Sequence, residues 1–177
     1  MNYNPFKSDT RNKYRKHLAY HWQWYEWKQS YIEGVNYLKE WITEKNVLEV
    51  GAGDGLIVHV LGIRGVDIDR SGIAAAKTRG VDIDFGDACN LPYKDEEFDA
   101  VLMYDTLEHI EFPLKALAEA RRVLKTHLYI AVPVVEGDFN TDEKRLKKMV
   151  EGAGFVLDGE VLLRNRKKQF FAKFKKV

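Results

Sequence analysis

Cysteine is nearly absent from this chain of 177 residues, with Cys89 the only one. A single thiol excludes an internal disulfide and any zinc site built on cysteines, and makes a reducing, cytoplasmic setting the default expectation. No metal-ligand set is expected. No apolar run approaches the ~20 residues needed to span a bilayer, so no membrane partner is expected. The polar, aromatic start of the chain does not resemble a secretion signal. Low-complexity segments and linkers are missing too, and 45% hydrophobic with 31% charged residues is the balance of a folded globular chain. At this length one full core can be buried. Formal net charge is only +1, yet both ends are basic: Lys7, Arg11, Lys13, Arg15 and Lys16 near the start, and Arg164, Arg166, Lys167, Lys168, Lys173, Lys175 and Lys176 near the end. Such ends suit either phosphate tracking or simple solvation as a turn and a tail.

What the chain does have is Val-Leu-Glu-Val-Gly-Ala-Gly-Asp-Gly-Leu at 47–56. The apolar residues Val47, Leu48 and Val50, broken by Glu49, read as a buried strand. It empties into Gly51, Gly53 and Gly55, and glycine lets a ligand lie directly on the backbone. A strand, a glycine turn and a helix start form the nucleotide-holding corner of an open α/β sheet. The spacing is G-x-G-x-G, not the G-x-G-x-x-G of dinucleotide enzymes, which counts against an NAD-dependent oxidoreductase.

From Glu49 onward strands and helices alternate, which predicts a parallel sheet with helices on both faces. Strands are expected at 46–50, 63–67, 81–85, 98–104 and 127–132. Helices are expected at 71–79, from Pro113 through Lys125, and after a capping box of Asn140 and Glu143. Two last strands, 155–163 and 169–174, flank a charged turn and read as an antiparallel hairpin, which brings the strand count to seven. Between Gly55 and Ile63 there is room for only a turn or two of helix, and His59 within it reads as a packing or surface residue. Upstream, Ile32, Val35, Leu38 and Ile42 stripe one amphipathic helix, and residues 20–27 are aromatic nearly all round.

In an open parallel sheet, ligands sit beyond the carboxyl ends of the strands. The first strand brings Glu49 and a glycine turn whose amides and helix start favour a carboxylate or phosphate. The second ends in Asp67, suited to accept two ribose hydroxyl protons. Beyond the third, Gly86-Asp87-Ala88-Cys89 offers Asp87 to an adenine amino group. The fourth ends in Tyr104-Asp105-Thr106, followed by Leu107-Glu108-His109-Ile110. Asp105 and His109 are the candidate general bases, histidine being the side chain that titrates near neutral pH.

Taken in order and in register, these segments resemble the class I S-adenosylmethionine-dependent methyltransferases, of the type 11 kind, over roughly residues 45–177. The stretch at 47–55 is similar to the family's first motif, Gly-Val-Asp-Ile-Asp at 65–69 to its second, Gly-Asp-Ala-Cys-Asn-Leu-Pro-Tyr at 86–93 to its adenine loop, and residues 98–110 to its fourth. The resemblance implies a Rossmann-like, seven-stranded, mostly parallel α/β sheet of order 3-2-1-4-5-7-6 with strand seven antiparallel. It also implies S-adenosyl-L-methionine as cofactor and S-adenosyl-L-homocysteine as product. The cofactor would be held by Glu49, Gly51, Ala52, Gly53, Asp67, Ile68, Asp87, Ala88 and Tyr104, with Asp105 and His109 catalytic. Residues 1–44 are then an N-terminal helical, aromatic-rich extension, and 45–177 the cofactor-binding domain. Tyr14, Tyr20, Trp24 and Tyr25 are expected in a lid that excludes water and offers aromatic faces to the sulfonium. Only Val134 to Phe139 follow the fifth strand before the next helix, so acceptor recognition falls to the N-terminal region. The acceptor is read first as a small molecule, second as RNA or protein. A non-catalytic partner subunit that keeps the fold is the further alternative. No motif specifies the oligomeric state.

Overall fold

A computed structural model describes residues 19–134, 142–163 and 169–177. The chain opens with helices α1 (Tyr20–Trp27) and α2 (Gln29–Trp41), then runs through β1 (Val47–Val50), α3 (Leu56–Leu61), β2 (Arg64–Asp67), α4 (Arg70–Thr78) and β3 (Asp84–Phe85). The second half holds β4 (Phe98–Tyr104), a 3-10 turn (Leu107–His109), α5 (Pro113–Val123), β5 (Leu124–Pro133), α6 (Glu143–Gly152) and the hairpin β6 (Phe155–Leu163) and β7 (Gln169–Lys176). The seven strands form one sheet of order β3-β2-β1-β4-β5-β7-β6. β1 to β5 pair in parallel, and β7 runs antiparallel to both β5 and β6. No helix among the described residues is long and apolar enough to cross a membrane.

Alternation along the strands divides the core between two faces. Leu48, Val50, Val101, Met103, Leu128 and Ile130 pack under α5 and α6. Val47, Ala100, Leu102, Tyr104, Tyr129 and Ala131 face Tyr31, Val35 and Leu38 of α2 and Leu56 and Ile57 of α3. Phe98 and Val101 share the first face because the register of β4 shifts between Phe98 and Ala100. Of the stripe expected on α2, Val35 and Leu38 are buried, whereas Ile32 is only partly buried and Ile42 lies just past the helix end; Tyr31 and Gly34 complete the buried face.

Several boundaries differ from the sequence reading. Only Asp84 and Phe85 pair with β2, so the third strand is two residues long. Val81 and Ile83 are buried against Val58 and Ala76 without joining the ladder. Helix α5 ends at Val123 because Leu124 already pairs with Phe98. The expected Asn140 cap lies outside the described residues; Asp142 caps α6, its carboxylate accepting from the Arg145 amide at 2.9 Å. Helix α3 has six residues, the short crossover anticipated from the spacing.

Candidate active site

A cavity of about 390 Å³ opens over the carboxyl ends of β1, β2 and β4. Its floor is Glu49, in β1 on the face turned toward α2 and α3. Glu49 is 2% exposed, and its Oε2 has no hydrogen-bond partner. Burial pushes its pKa well above the usual carboxylate range, and the nearby charges of Asp67 and Asp54 push it further.

The glycine turn is built differently from the anion cradle expected of it. Gly51 and Ala52 both donate to the Val66 carbonyl, at 2.8 and 3.1 Å. Gly53 donates to Asp67 Oδ2 at 2.7 Å, and Gly55 to the Ala52 carbonyl at 2.9 Å. The first three amides tie β1 to β2 and the Gly55 amide closes the turn on itself, so these four are engaged within the fold. Gly51, Ala52 and Asp54 line the cavity, whereas Gly53 does not. Gly51 has φ +83° and abuts Thr106, whose side chain would lie 2.4 Å from an added Cβ, so glycine is required for both reasons. The turn therefore serves as a close, flat backbone surface.

Asp67 accepts from Gly53 and, through Oδ1, from the Asp69 amide at 2.6 Å. A carboxylate has about four acceptor positions, so these bonds leave room for a ligand. Burial raises the Asp67 pKa despite these bonds. Ile68, 57% exposed, and Ala88 line the same mouth. Asp87 lines it as well, one oxygen accepting from the Cys89 amide at 2.8 Å.

At the other end β4 delivers Tyr104 and Asp105. Asp105 adopts φ +48°, a left-handed conformation that aspartate tolerates better than most residues, and its amide donates to the Ala131 carbonyl at 2.8 Å. Gln169, the first residue of β7, links the two: Tyr104 Oη donates to Gln169 Oε1 at 3.3 Å, and Gln169 Nε2 donates to Asp105 Oδ1 at 3.2 Å. His109 also lines the cavity; its side chain is 45% exposed and its Nε2 lies 3.8 Å from Glu108 Oε1. Burial, followed by the Asp105 charge, drives Tyr104 well above the ordinary phenol range, so it stays a neutral hydroxyl.

Helix α1 forms a wall of the cavity through Tyr20, His21 and Trp24. It is fastened to the glycine turn at Asp54, a fully buried carboxylate. The His21 amide donates to Asp54 Oδ2 at 2.9 Å, His21 Nδ1 lies 3.1 Å from Oδ1, and Trp22 Nε1 donates to the Asp54 carbonyl at 2.9 Å. Tyr31 of α2 completes the wall, its ring stacked on His21 with centroids 5.6 Å apart. Of the residues expected in a lid, Tyr20 and Trp24 line the cavity, Tyr14 lies outside the described residues, and Tyr25 turns away to Asn36 at 3.5 Å. Tyr25 is excluded because it lies on the flank of α1 that meets α2. His59 is exposed with its ring 4.9 Å from Trp22, which fits the packing or surface reading. Sequence reasoning missed His21, Tyr31, Asp54 and Gln169; only Asp54, inside the glycine segment, carried a local signal.

A doubly wound sheet with an acidic cavity at the switch from β1 to β4 defines a small-ligand or nucleotide-cofactor enzyme. Comparison with known proteins narrows this. Residues 48–132 match the model of a methyltransferase domain. Over 158 residues the chain is 30% identical to an uncharacterized protein of Methanocaldococcus jannaschii, covering 85% of this chain and 77% of that one. It is 35% identical over 100 residues to a phthiotriol/phenolphthiotriol dimycocerosates methyltransferase of Mycobacterium ulcerans, covering half of this chain but only 37% of that enzyme. The fold superposes on magnesium protoporphyrin IX methyltransferase of Synechocystis, solved with bound S-adenosylmethionine, with a TM-score of 0.75 at 15% identity and 99% coverage of both chains. The chain belongs to the class I S-adenosylmethionine-dependent methyltransferases.

Proposed function

We propose that the chain binds S-adenosyl-L-methionine in this cavity and methylates a small-molecule acceptor, releasing S-adenosyl-L-homocysteine. The observation that carries this reading is Glu49: a buried carboxylate with an unpartnered oxygen, between the glycine turn and Asp67, suits the cationic end of that cofactor. Asp67 has acceptor positions left for ribose hydroxyls, while Ile68, Ala88 and Asp87 form an apolar shelf with one polar edge for adenine. Gly51 and Ala52 let the cofactor lie against the backbone, and Tyr104 borders its methionine end. Functionally, within the extension of residues 1–44 the described helix α1 supplies the cover and α2 packs on the sheet, while 45–177 form the cofactor-binding unit.

The bound cofactor supplies a methyl group already activated on a sulfonium. What remains for the chain is to hold the acceptor in line, an effect worth up to about 7–11 kcal/mol. Asp105, held by Gln169, and His109 flank the space left for the acceptor and take the proton it must lose. The α1 wall excludes water. A cavity of about 390 Å³ is of small-molecule size. Part of the basic C-terminal end is engaged within the fold, with Lys176 paired to Glu96 at 3.0 Å and Lys173 within 3.8 Å of Asp158, which favours a small acceptor over RNA.

Calorimetry tests the reading. Both sulfur compounds should bind and NADH should not; affinity for NADH alone would overturn the assignment. Asp67→Ala should weaken cofactor binding by about 1.5–3 kcal/mol, as for a lost charged hydrogen-bond partner. An unchanged dissociation constant would remove Asp67 from the site.

A further inference from the structure

Helix α2 turns one face to the sheet through Val35 and Leu38, both fully buried, and Gly34 brings that face close to Tyr104 Oη. Tyr31 lies one turn earlier on the same face, where the core meets the cavity, and lines it although only 7% exposed. Rings hold it on three sides. His21 is stacked on it with centroids 5.6 Å apart, and Trp24 and Tyr104 meet it edge-on at 5.8 and 6.0 Å. Among the described residues the Tyr31 hydroxyl makes no hydrogen bond, whereas the neighbouring Tyr104 hydroxyl donates to Gln169. A buried phenol usually finds a partner, because a donor taken out of water without one loses its hydration for nothing in return. Burial first, then Tyr104, Asp54, Asp105 and Glu49, holds Tyr31 well above the ordinary phenol range, so it stays protonated and neutral.

Glu49 suits the ammonium of the cofactor's methionine end, but that end also carries a carboxylate on the same carbon. The carboxylate must therefore be received near Glu49, in a cavity lined by Asp54, Asp67 and Asp105 as well, where like charges repel strongly. The Gly51, Ala52, Gly53 and Gly55 amides are engaged within the fold, and the Tyr31 hydroxyl is not. A neutral phenol donates a hydrogen bond to an anion without adding negative charge of its own. We propose that Tyr31 is a cofactor-binding residue whose hydroxyl donates to the methionine carboxylate while Glu49 takes the ammonium. This rests on the methyl-transfer reading. The two side chains then recognise the amino-acid end by both its charges, and binding gives the phenol the partner that the ligand-free fold denies it.

Tyr31→Phe tests this, since it keeps the ring with its neighbours and removes only the oxygen. Titration calorimetry on the full chain, wild type and variant, uses two probes: S-adenosyl-L-homocysteine, and its decarboxylated form, which keeps the ammonium and lacks the carboxylate. The variant should bind the first about tenfold more weakly, the loss expected for a hydrogen bond to a charged group. The second should bind the two proteins within about twofold of each other. Urea denaturation without ligand supplies the contrast: the variant's midpoint should be no lower than that of the wild type, because no bond within the protein is lost. A lower midpoint with unchanged affinity for S-adenosyl-L-homocysteine would make the hydroxyl a structural group and overturn the assignment. Equal losses for both probes overturn it too, placing the hydroxyl away from the carboxylate. Wild-type protein that does not bind S-adenosyl-L-homocysteine at all overturns both this assignment and the methyl-transfer reading, which separates the two failures.

Discussion

At the scale of single residues, Glu49 puts a carboxyl group where water cannot solvate its charge. In the unfolded chain it ionises in the ordinary range, near pH 4.3; in the fold its pKa lies well above that. Between those two values the folded state keeps a proton that the unfolded state has lost. Stability therefore falls as pH rises through this window and levels off above the folded value. Asp67 is raised by burial too and adds to the slope in the same direction. Glu49→Gln should remove most of the decline, making the ligand-free variant more stable than the wild type above the window, as urea denaturation across a pH series would record. The same variant should bind S-adenosylmethionine about tenfold or more weakly. A slope unchanged by the substitution would mean that Glu49 is not the titrating group. Glu49 and Asp67 were legible in the sequence because a strand end exposes its acid to whatever lies beyond the sheet. Gln169 was not, since it meets Tyr104 and Asp105 only across a sequence separation of 65 and 64 positions, through the pairing of β7 with β5.

At the scale of elements, α2 comes close to the sheet because of Gly34. A Cβ there would lie 2.9 Å from both Tyr104 Oη and Gln169 Oε1. Those atoms are buried and bonded to each other, so neither can swing aside cheaply. Alanine would gain up to about 1 kcal/mol of helix propensity against about 1–3 kcal/mol of overpacking. Gly34→Ala should therefore be destabilising overall, by up to about 2 kcal/mol in denaturant unfolding, and should disturb Asp105 through Gln169. A more stable variant would show that the contact relaxes freely. The legibility of elements followed their burial. β4 was bounded to the residue, because every position but Asp99 is buried and the apolar run is unbroken. β3 was overestimated because Val81 and Ile83 carry the strand alternation yet serve only as packing. Helix α1 had no readable period: it is short and aromatic on all sides, and only its fastening to Asp54 decides which rings face the cavity.

At the scale of the whole molecule, strand alternation gave the number of strands and the two-faced layering, but not their order across the sheet. That order came from likeness to a family, since periodicity carries no information about which strands are neighbours. The same holds for the cover over the site, whose geometry depends on contacts between α1 and a turn more than 30 residues away. These contacts couple cover and cofactor: Asp54 is held by His21 on one side and belongs on the other to the turn on which the cofactor would lie. Product at a hundred times its dissociation constant should add about 2.7 kcal/mol of stability, or roughly 5–10 °C in melting temperature for a domain of this size. If the cover is part of the bound state, the amides of Tyr20–Trp27 should exchange hydrogen more slowly in that complex. Trp22→Phe, which lacks the indole donor to the Asp54 carbonyl, should speed their exchange in the ligand-free protein. Mass spectrometry of exchanged peptides reads both effects. Protection confined to the glycine turn, with α1 exchanging alike in every state, would reduce the helix to a fixed wall with no part in closing the site.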